Sequence, residues 1–357
     1  MGRRSDALIG FARWRRAKRW LIEPYLGFGT QSKLTLPGRV LEDRRLIPST
    51  ETDTSWRNLR NTYKRFATRE VAGARVCATF KGAESIAITD SEGYFCIQIE
   101  LDAPPDARLW QELELQLIEP RAAAGTPTRA TAEVLVPPPG ARFGVVSDID
   151  DTVVATHVAS TFKMLLTVLF SNAHVRTPFK GIAAFYRALH GGASGAEANP
   201  IFYVSNGPWN LYGLLIEFFK LNEIPLGPLF LRDFGPQILF PSRPHMGHKL
   251  SHIGRILEAY PHLPFILIGD SGERDPEIYA EIATRYPDRI RAIYIRSVDQ
   301  RQERLAAIDA LAATITAMKT QFVLAPDSEF AAVHAAAEGL IASHTLALIR
   351  EEKKGAG

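Results

Sequence analysis

Three aspartates directly follow a short apolar stretch and form the most concentrated set of acidic groups in the sequence. Residues 147–152 read Ser-Asp-Ile-Asp-Asp-Thr, which places Asp148, Asp150 and Asp151 just after the apolar residues 143–146. Carboxylates this close together repel one another, and a bound cation is a natural way to keep them ionised. Because Mg²⁺ prefers hard oxygen ligands and neutralises phosphate, the cluster predicts a magnesium-dependent phosphoryl-transfer site.

Later segments supply the other groups that such a site needs. Ser205 and Asn206 follow a second apolar stretch, and Ser205 offers a hydroxyl to a phosphate oxygen. Asp270 and Asp275 follow a third, and Lys249, between these two stretches, can balance negative charge. Since ligands collect at the carboxyl ends of parallel strands, we expect these side chains to meet at one edge of a sheet.

Each of these residues also has a structural interpretation. Ser205 could cap a helix, Lys249 could lie at the surface, and Asp275 could cap a helix that begins at Pro276. Asp151 is better explained as a cap or a supporting group than as a nucleophile. A zinc site is not expected, because no cysteine or third histidine has suitable spacing. The order of the groups along the chain favours the chemical interpretation.

The elements that must position these groups follow an alternating pattern. Apolar stretches bounded by turn residues predict strands buried on both faces, as in a parallel sheet, at residues 143–147, 201–205, 265–269 and 290–295. Helical stretches lie between them, near residues 209–221, 247–260 and 276–286. This alternation predicts an α/β fold with a doubly wound parallel sheet.

A second, β-rich region precedes that sheet. Residues 75–80, 94–99 and 112–117 alternate between apolar and polar positions, and residues 89–93, Thr-Asp-Ser-Glu-Gly, indicate a turn. The pattern predicts a small antiparallel β-sandwich, and it resembles the carboxypeptidase-regulatory and transthyretin-like β-domains. A Pro-Pro-Pro-Gly stretch at residues 137–140 is typical of a stiff linker.

The predicted organisation therefore has five parts. They are a basic N-terminal helix (1–24), the β-sandwich domain (25–136), the linker (137–141), the α/β catalytic domain (142–300) with an insert at about 153–200, and C-terminal helices (301–357).

The charge is concentrated at the N-terminus. The chain has a formal net charge of +3, yet residues 1–20 hold seven Arg and Lys against one Asp, interleaved with Trp14 and Trp20. Such a segment fits either an anionic membrane surface or a solvated helix packed on the next domain. Nucleic acid is not an expected partner, because the positive charge forms no folded basic face.

No stretch of the sequence reaches the length of a transmembrane helix, and the basic residues rule out a secretory signal. The two cysteines, Cys77 and Cys96, are too few for a disulfide framework and are expected to be small buried residues. We therefore expect a cytoplasmic protein that is soluble or peripherally attached to a membrane.

The order of the motifs resembles that of the haloacid dehalogenase superfamily: Asp-x-Asp-x-Thr, then Ser or Thr, then Lys, then Gly-Asp-x-x-x-x-Asp. The resemblance covers residues 142–297. It implies that Asp148 is a nucleophile forming an aspartyl-phosphate, and that Asp150 protonates the leaving alkoxide and then activates water. An acid at position 150 favours phosphatase over dehalogenase chemistry.

The resemblance also implies the remaining roles. The phosphoryl group would be bound by Thr152, Ser205, Asn206 and Lys249. Mg²⁺ would be held by Asp148, the backbone carbonyl of Asp150, and Asp270, with Asp275 close by.

Longer blocks narrow the family. Residues 147–153, 203–212 and 269–279 are similar to the conserved blocks of the fungal actin-patch-protein phosphatidate phosphatases and their bacterial relatives. This resemblance implies Mg²⁺-dependent conversion of phosphatidate to diacylglycerol. The chain has no long proline-rich tail, so the actin connection of the fungal proteins is not carried over.

The sequence says less about the substrate than about the type of reaction. The insert at 153–200 contains an apolar run, residues 162–170, with Lys163, Arg176 and Lys180 around it, which fits either a lipid-facing cap or a helix packed on the core. Trp209 could line the mouth of a pocket or cover the end of the sheet. Two other functions stay open: a phosphatase of a soluble phosphomonoester such as a sugar phosphate or phosphoprotein, and a non-catalytic scaffold built on the β-domain.

Overall fold

The residues that the structure describes form one mixed sheet and one parallel sheet. The computed structural model describes residues 19–43, 70–121, 128–149, 181–232 and 247–355. Within these residues the N-terminal part is β-rich and the later part alternates strands with helices. The predicted α/β class and the predicted β-rich N-terminal region are both present.

The first sheet has eight strands in the order β1-β3-β2-β8-β7-β4-β5, with β6 paired to β3. The strands are β1 (Arg19–Pro24), β2 (Gly27–Gly29), β3 (Lys33–Asp43), β4 (Arg75–Phe80), β5 (Ala83–Ile88), β6 (Tyr94–Glu100), β7 (Trp110–Glu119) and β8 (Arg129–Leu135). Its pairings are antiparallel except that β2 runs parallel to β8, so the sheet is mixed.

Side-chain alternation explains why this region forms strands. In β7, Leu113, Leu115 and Leu117 are buried, while the polar residues between them face outward. A period of two places one face of a strand on a hydrophobic core. The predicted turn before β6 is also present: Asp90 Oδ1 accepts backbone hydrogen bonds from Glu92 and Tyr94 at 2.9 Å.

Residues 19–24 differ from the expected helix. They form strand β1, which pairs along its length with β3 and buries Ile22 in the core of the first sheet. Pairing with an existing strand and burial of an apolar side chain outweigh the weak helical pattern of this short segment. The rest of the predicted basic helix, residues 1–18, lies outside the described residues.

The second sheet has six strands, all paired in parallel, in the order β11-β10-β9-β12-β13-β14. The strands are β9 (Gly144–Asp148), β10 (Ile201–Pro208), β11 (Leu229–Arg232), β12 (Phe265–Asp270), β13 (Ile290–Arg296) and β14 (Gln321–Ala325). All five residues of β9 and all six of β12 are buried, as expected for strands covered on both faces. The parallel sheet predicted from the apolar stretches is confirmed.

Helices pack against both faces of the parallel sheet. They are α1 (Ile182–Gly191), α2 (Tyr212–Leu221), α3 (His248–Ala259), α4 (Asp275–Arg285), α5 (Gln302–Thr316), α6 (Ser328–Ala337) and α7 (Thr345–Gly355). Residues of α1, α2, α6 and α7 share one core with Val145, Ile268 and Tyr294. Residues of α3, α4 and α5 share the other core with Val146 and Leu267. None of the described helices is long and apolar enough to cross a membrane.

Strand β14 was not expected, because residues 301–357 were predicted to be helical. Residues 321–325 pair with β13 and extend the sheet by one edge strand. The strand has only five residues within an alanine-rich stretch, so its apolar pattern is too short to distinguish from helix.

The two sheets contact each other through aromatic side chains. Trp209 is buried, and its ring stacks on Tyr25 with 5.0 Å between ring centroids. The backbone N–H of Leu26 donates to the Tyr212 hydroxyl at 2.6 Å. Of the two roles considered for Trp209, the structure therefore supports packing in the core.

Candidate active site

Three aspartates meet at the carboxyl edge of the parallel sheet. Asp148 ends β9, Asp270 ends β12, and Asp275 begins α4. One carboxylate oxygen from each lies within 4.8 Å of the others, and all three residues are fully buried. Strands β9 and β12 are neighbours in the sheet, so their ends necessarily bring Asp148 and Asp270 together.

Glycine at position 269 allows the close approach of Asp275. A Cβ atom built on Gly269 would lie 2.4 Å from Asp275 Oδ2, which no real side chain tolerates. In return, Asp275 Oδ2 accepts the backbone N–H of Asp270 at 3.2 Å. The Gly-Asp pair at the end of β12 therefore has a steric reason as well as a chemical one.

Lys249 lies at the centre of the acidic cluster. Its Nζ is 2.8 Å from a carboxylate oxygen of each of Asp148, Asp275 and Glu273, and only 3% of its side chain is exposed. Burial acts to lower the pKa of Lys249, but the three carboxylates outweigh burial and hold the pKa above its ordinary value. Lys249 is therefore a fixed cation and not a surface lysine.

In the part of the chain that the structure describes, only one of the two carboxylate oxygens of Asp270 accepts hydrogen bonds. Its Oδ1 accepts the backbone N–H groups of Gly272 and Glu273 at 2.6 and 3.0 Å. Its buried Oδ2 has no hydrogen-bond partner among the described residues. Burial, together with Asp275, raises the pKa of Asp270 to about 7.

This donor set fits a hard divalent cation. Three buried carboxylates supply oxygen ligands, and the uncommitted oxygen of Asp270 is the kind of polar atom that a metal would satisfy. Burial also raises the pKa of Asp275. Burial is the main cause of both raised pKa values, and a bound divalent cation would favour the ionised form of both carboxyls.

The expected phosphate-binding residues reach the same edge from β10. Ser205 is buried, and its Oγ accepts the backbone N–H of Gly207 at 2.8 Å. Asn206 is exposed, and its Nδ2 donates to Glu273 Oε2 at 3.2 Å. Glu273 thus links Asn206 to Lys249, a contact that was not anticipated although Glu273 lies inside the motif at 269–279.

Several predicted residues are not covered by the structure. Asp150, Asp151 and Thr152, the first part of the insert at 153–180, and the segment 233–246 lie outside the described residues. The roles expected for Asp150 and Thr152 therefore remain predictions.

The loop after Asp270 is fixed by an arginine from outside the expected catalytic segment. Arg304, on α5, donates to the backbone carbonyls of Ser271 and Glu273 at 2.9 and 2.6 Å. The same guanidinium pairs with the Glu277 carboxylate on α4. Arg304 therefore attaches α5 to the loop that carries Asp270, Glu273 and Asp275.

Replacing Arg304 with alanine is expected to lower the free energy of unfolding by about 1.5–3 kcal/mol, because two partly buried carbonyls and one carboxylate lose their donor. Urea denaturation measures this change. Arg301→Ala is the matched control, since the Arg301 side chain is highly exposed and pairs with Asp299 at the surface. Equal unfolding curves for the two variants would show that Arg304 does not hold the loop.

The metal-free chain is expected to become less stable as pH rises from about 4 to about 7. The folded pKa of Asp270, about 7, lies above its ordinary value of 3.8, so the folded state binds more protons in this window and the free energy of unfolding falls with pH. The contribution reaches about 4 kcal/mol.

Thermal unfolding in EDTA, compared with the Asp270→Asn variant, isolates this contribution. The variant should lose the pH dependence that Asp270 causes, and Mg²⁺ should raise the Tm of the unmodified chain more at pH 8 than at pH 5. A difference between the two proteins that stays constant from pH 4 to 7 would contradict the assignment.

Part of the chain is similar to known proteins. Residues 143–297 match the family model described as the catalytic domain of the phosphatidate phosphatase APP1. The phosphatidate phosphatase APP1 of Saccharomyces cerevisiae is 32% identical over 210 residues, which are 58% of this chain and 34% of that protein. An uncharacterized protein of Schizosaccharomyces pombe is 32% identical over 158 residues, which are 44% of this chain and 25% of that protein.

The matched part of the chain thus spans about a third or less of these relatives. The PilB minor pilin of Streptococcus sanguinis is 7% identical, with 80% of this chain and 87% of that chain covered, at a TM-score of 0.27. A score that low carries no argument about fold or function. The resemblance drawn from the sequence blocks is confirmed for residues 143–297.

Proposed function

We propose, from the match of residues 143–297 to the APP1 catalytic-domain family model, that the chain hydrolyses the phosphate monoester of phosphatidate to give diacylglycerol. The observation that carries the proposal is the buried cluster of Asp148, Asp270 and Asp275 around Lys249. A phosphomonoester is a dianion, and a site that combines three carboxylates with a fixed cation suits it once a divalent cation is bound.

Asp148, Asp270 and Asp275 would hold Mg²⁺, with the backbone carbonyl of Asp150 as the further ligand that the motif implies. When bound, the cation neutralises the charge of the phosphoryl group and of the carboxylates around it. The other steps belong to the side chains of the chain itself.

Asp148 is the proposed nucleophile. Its carboxylate oxygen forms a bond to phosphorus while the bond from phosphorus to the ester oxygen breaks, which gives an aspartyl-phosphate and an alkoxide. Asp150 gives its proton to the alkoxide and then takes a proton from water, whose oxygen attacks phosphorus. The bond between phosphorus and the Asp148 oxygen breaks, inorganic phosphate leaves, and both aspartates return to their starting states.

Lys249 is proposed to balance negative charge in the site and to hold the Asp148 carboxylate in place. Its Nζ contacts Asp148 Oδ1 at 2.8 Å, which fixes the carboxylate at the end of β9. The same ammonium can attract the phosphoryl oxygens, and Ser205, Asn206 and Thr152 are the proposed hydrogen-bond donors to them. Holding these groups in place before the reaction lowers the cost of reorganisation in the transition state.

The finer organisation is part of the proposal. The order of the parallel sheet, the helices on both of its faces and the motif order support a doubly wound, haloacid-dehalogenase-like domain at 142–300. The insert at 153–200 would be its cap, residues 137–141 a linker and residues 25–136 a separate β-domain. Residues 301–357 would be a C-terminal extension that is mainly helical and adds strand β14 to the sheet.

Contact with a membrane surface is proposed for the basic segment 1–20. Seven basic residues would attract an anionic lipid surface, and Trp14 would contact its interface, in a cytoplasmic and peripherally attached protein. Co-sedimentation with anionic vesicles, compared for the full chain and a chain lacking residues 1–18, tests this contact. Equal sedimentation of the two chains would remove the proposal.

The substrate is tested by phosphate release from phosphatidate in mixed micelles, beside a panel of soluble phosphomonoesters. Release that prefers phosphatidate and is lost in EDTA supports the proposed function. Release only from a soluble ester would keep the chemistry and discard the lipid substrate. The absence of release from every ester, with the protein folded and Mg²⁺ bound, would favour a non-catalytic scaffold.

A further inference from the structure

An apolar cavity of about 270 Å³ lies between the parallel sheet and helices α1, α6 and α7. Its walls include Ile182 and Phe185 from α1, Ile268 from β12, Tyr294 from β13 and Ala331 from α6. This volume lies just below the usual range of small-molecule pockets, and the lining is mainly apolar, as in pockets that take hydrocarbon groups.

The strand register places the cavity next to the catalytic edge. Ile268 and Asp270 are two residues apart on β12, so their side chains lie on the same face, about 7 Å apart along the strand. On the neighbouring strand, Tyr294 pairs with Ile268 and Arg296 pairs with Asp270. The cavity wall therefore begins at Ile268, two residues before Asp270 on the same face of β12.

A basic residue lies at the end of the cavity that is nearest to Asp270. Arg296 lines the cavity at the end of β13. Lys353, from α7, lines it as well, and its Nζ contacts Asp327 and Glu329 at 2.8 and 2.9 Å. Because Arg296 lines the cavity and pairs in register with Asp270, it lies between the apolar cavity and the acidic edge, where the polar ester groups of a lipid phosphate would lie.

We propose that this cavity is a subsite for one acyl chain of the substrate, with Arg296 positioned toward the ester region and the phosphate at Asp148 and Lys249. The proposal rests on the proposed phosphatase function and adds to it a place for the hydrocarbon part. Burial of each methylene in such a subsite raises the affinity by about fourfold until the cavity is full.

Binding of alkylphosphonates, which cannot be hydrolysed at the P–C bond, tests the subsite without turnover. Titration calorimetry in Mg²⁺ would compare butyl-, hexyl-, octyl- and decylphosphonate below their micelle concentrations. We expect the affinity to rise by about fourfold per methylene and then to level off. Affinity that is independent of chain length would overturn the subsite.

Two substitutions in α6 test whether the alkyl chain binds in this cavity. Ala331→Leu adds three carbons to the cavity wall and should reduce the ratio of decyl to butyl affinity at least tenfold. Val333→Leu, at an exposed position outside the cavity, is the matched control and should keep that ratio. A ratio that stays unchanged in a folded Ala331→Leu protein would place the hydrocarbon chain elsewhere.

The series on the unmodified chain decides the matter even if Ala331→Leu fails to fold. The result of the affinity series can also be distinguished from the result of the activity test of the proposed function. Chain-length dependence without phosphatidate hydrolysis would keep the subsite and reject the activity, while hydrolysis of phosphatidate with a flat affinity series would do the opposite.

Discussion

Asp148→Asn is expected to lower kcat for phosphate release by at least about 10³-fold. An amide cannot displace the ester oxygen from phosphorus, so the proposed aspartyl-phosphate does not form. The variant should remain folded, because Lys249 keeps its contacts with Asp275 and Glu273 at 2.8 Å. Initial rates of phosphate release at saturating Mg²⁺, together with a thermal melt, measure both expectations.

Asp90→Asn is the matched control for that substitution. Asp90 lies in the turn before β6, in the other sheet, where its Oδ1 accepts two backbone hydrogen bonds that an asparagine oxygen can also accept. This variant should keep the unmodified rate. A folded Asp148→Asn protein that retained more than about a tenth of the rate would exclude Asp148 as the nucleophile.

Lys249→Met is expected to lower the free energy of unfolding by about 3–5 kcal/mol near pH 8, besides removing activity. The substitution leaves Asp148 and Asp275 buried beside each other without their shared cation. Because the folded pKa of Lys249 is raised, the stabilisation from this lysine is fully present below its ordinary pKa of 10.5 and is lost as pH rises through the folded value.

Urea denaturation of the metal-free protein at pH 8 and pH 5 measures the effect of Lys249→Met. The loss should be smaller at pH 5, where the buried carboxyls with raised pKa values are more protonated. Lys220→Met is the matched control, because Lys220 is exposed and pairs only loosely with Glu217, at 3.5 Å. If Lys249→Met unfolds like this control at both pH values, the buried ion cluster does not stabilise the fold.

Residue order along the chain was sufficient to predict which side chains meet at the carboxyl edge of the sheet. Asp148, Asp270 and Ser205 each end an apolar stretch, and the carboxyl ends of neighbouring parallel strands meet at one edge. Lys249 had an ambiguous interpretation by itself. Its place between two strand ends suggested a role near phosphate, and its contact with Asp148 agrees with that suggestion.

The contacts of Glu273 could not be predicted in the same way. Glu273 reaches Lys249 and Asn206 only because Asp270 Oδ1 holds the backbone of the turn and Arg304 holds its carbonyls. Arg304 is distant in sequence and lies beyond the recognised motifs, so no local pattern links it to the loop.

Two segments that were predicted to be helical are strands in the structure, and both for the same reason. Residues 19–24 and 321–325 are short segments whose local pattern is weak, and each becomes a strand because a neighbouring strand offers backbone pairing. Likewise, the stacking of Trp209 on Tyr25 depends on how two sheets pack, which local sequence does not encode.

The most direct test of the central claim is detection of a phosphoryl group on Asp148 during turnover. Phosphatidate carrying a radioactive phosphate would be mixed with the chain in Mg²⁺, quenched in acid at successive times, and digested to locate the label. The same measurement with Asp150→Asn should retain the label longer, because this variant lacks the group proposed to activate water. We predict label on the peptide that contains Asp148 and none in the Asp148→Asn variant. Phosphate release with label at no quench time in either the unmodified chain or Asp150→Asn, or label on another residue, would contradict the account.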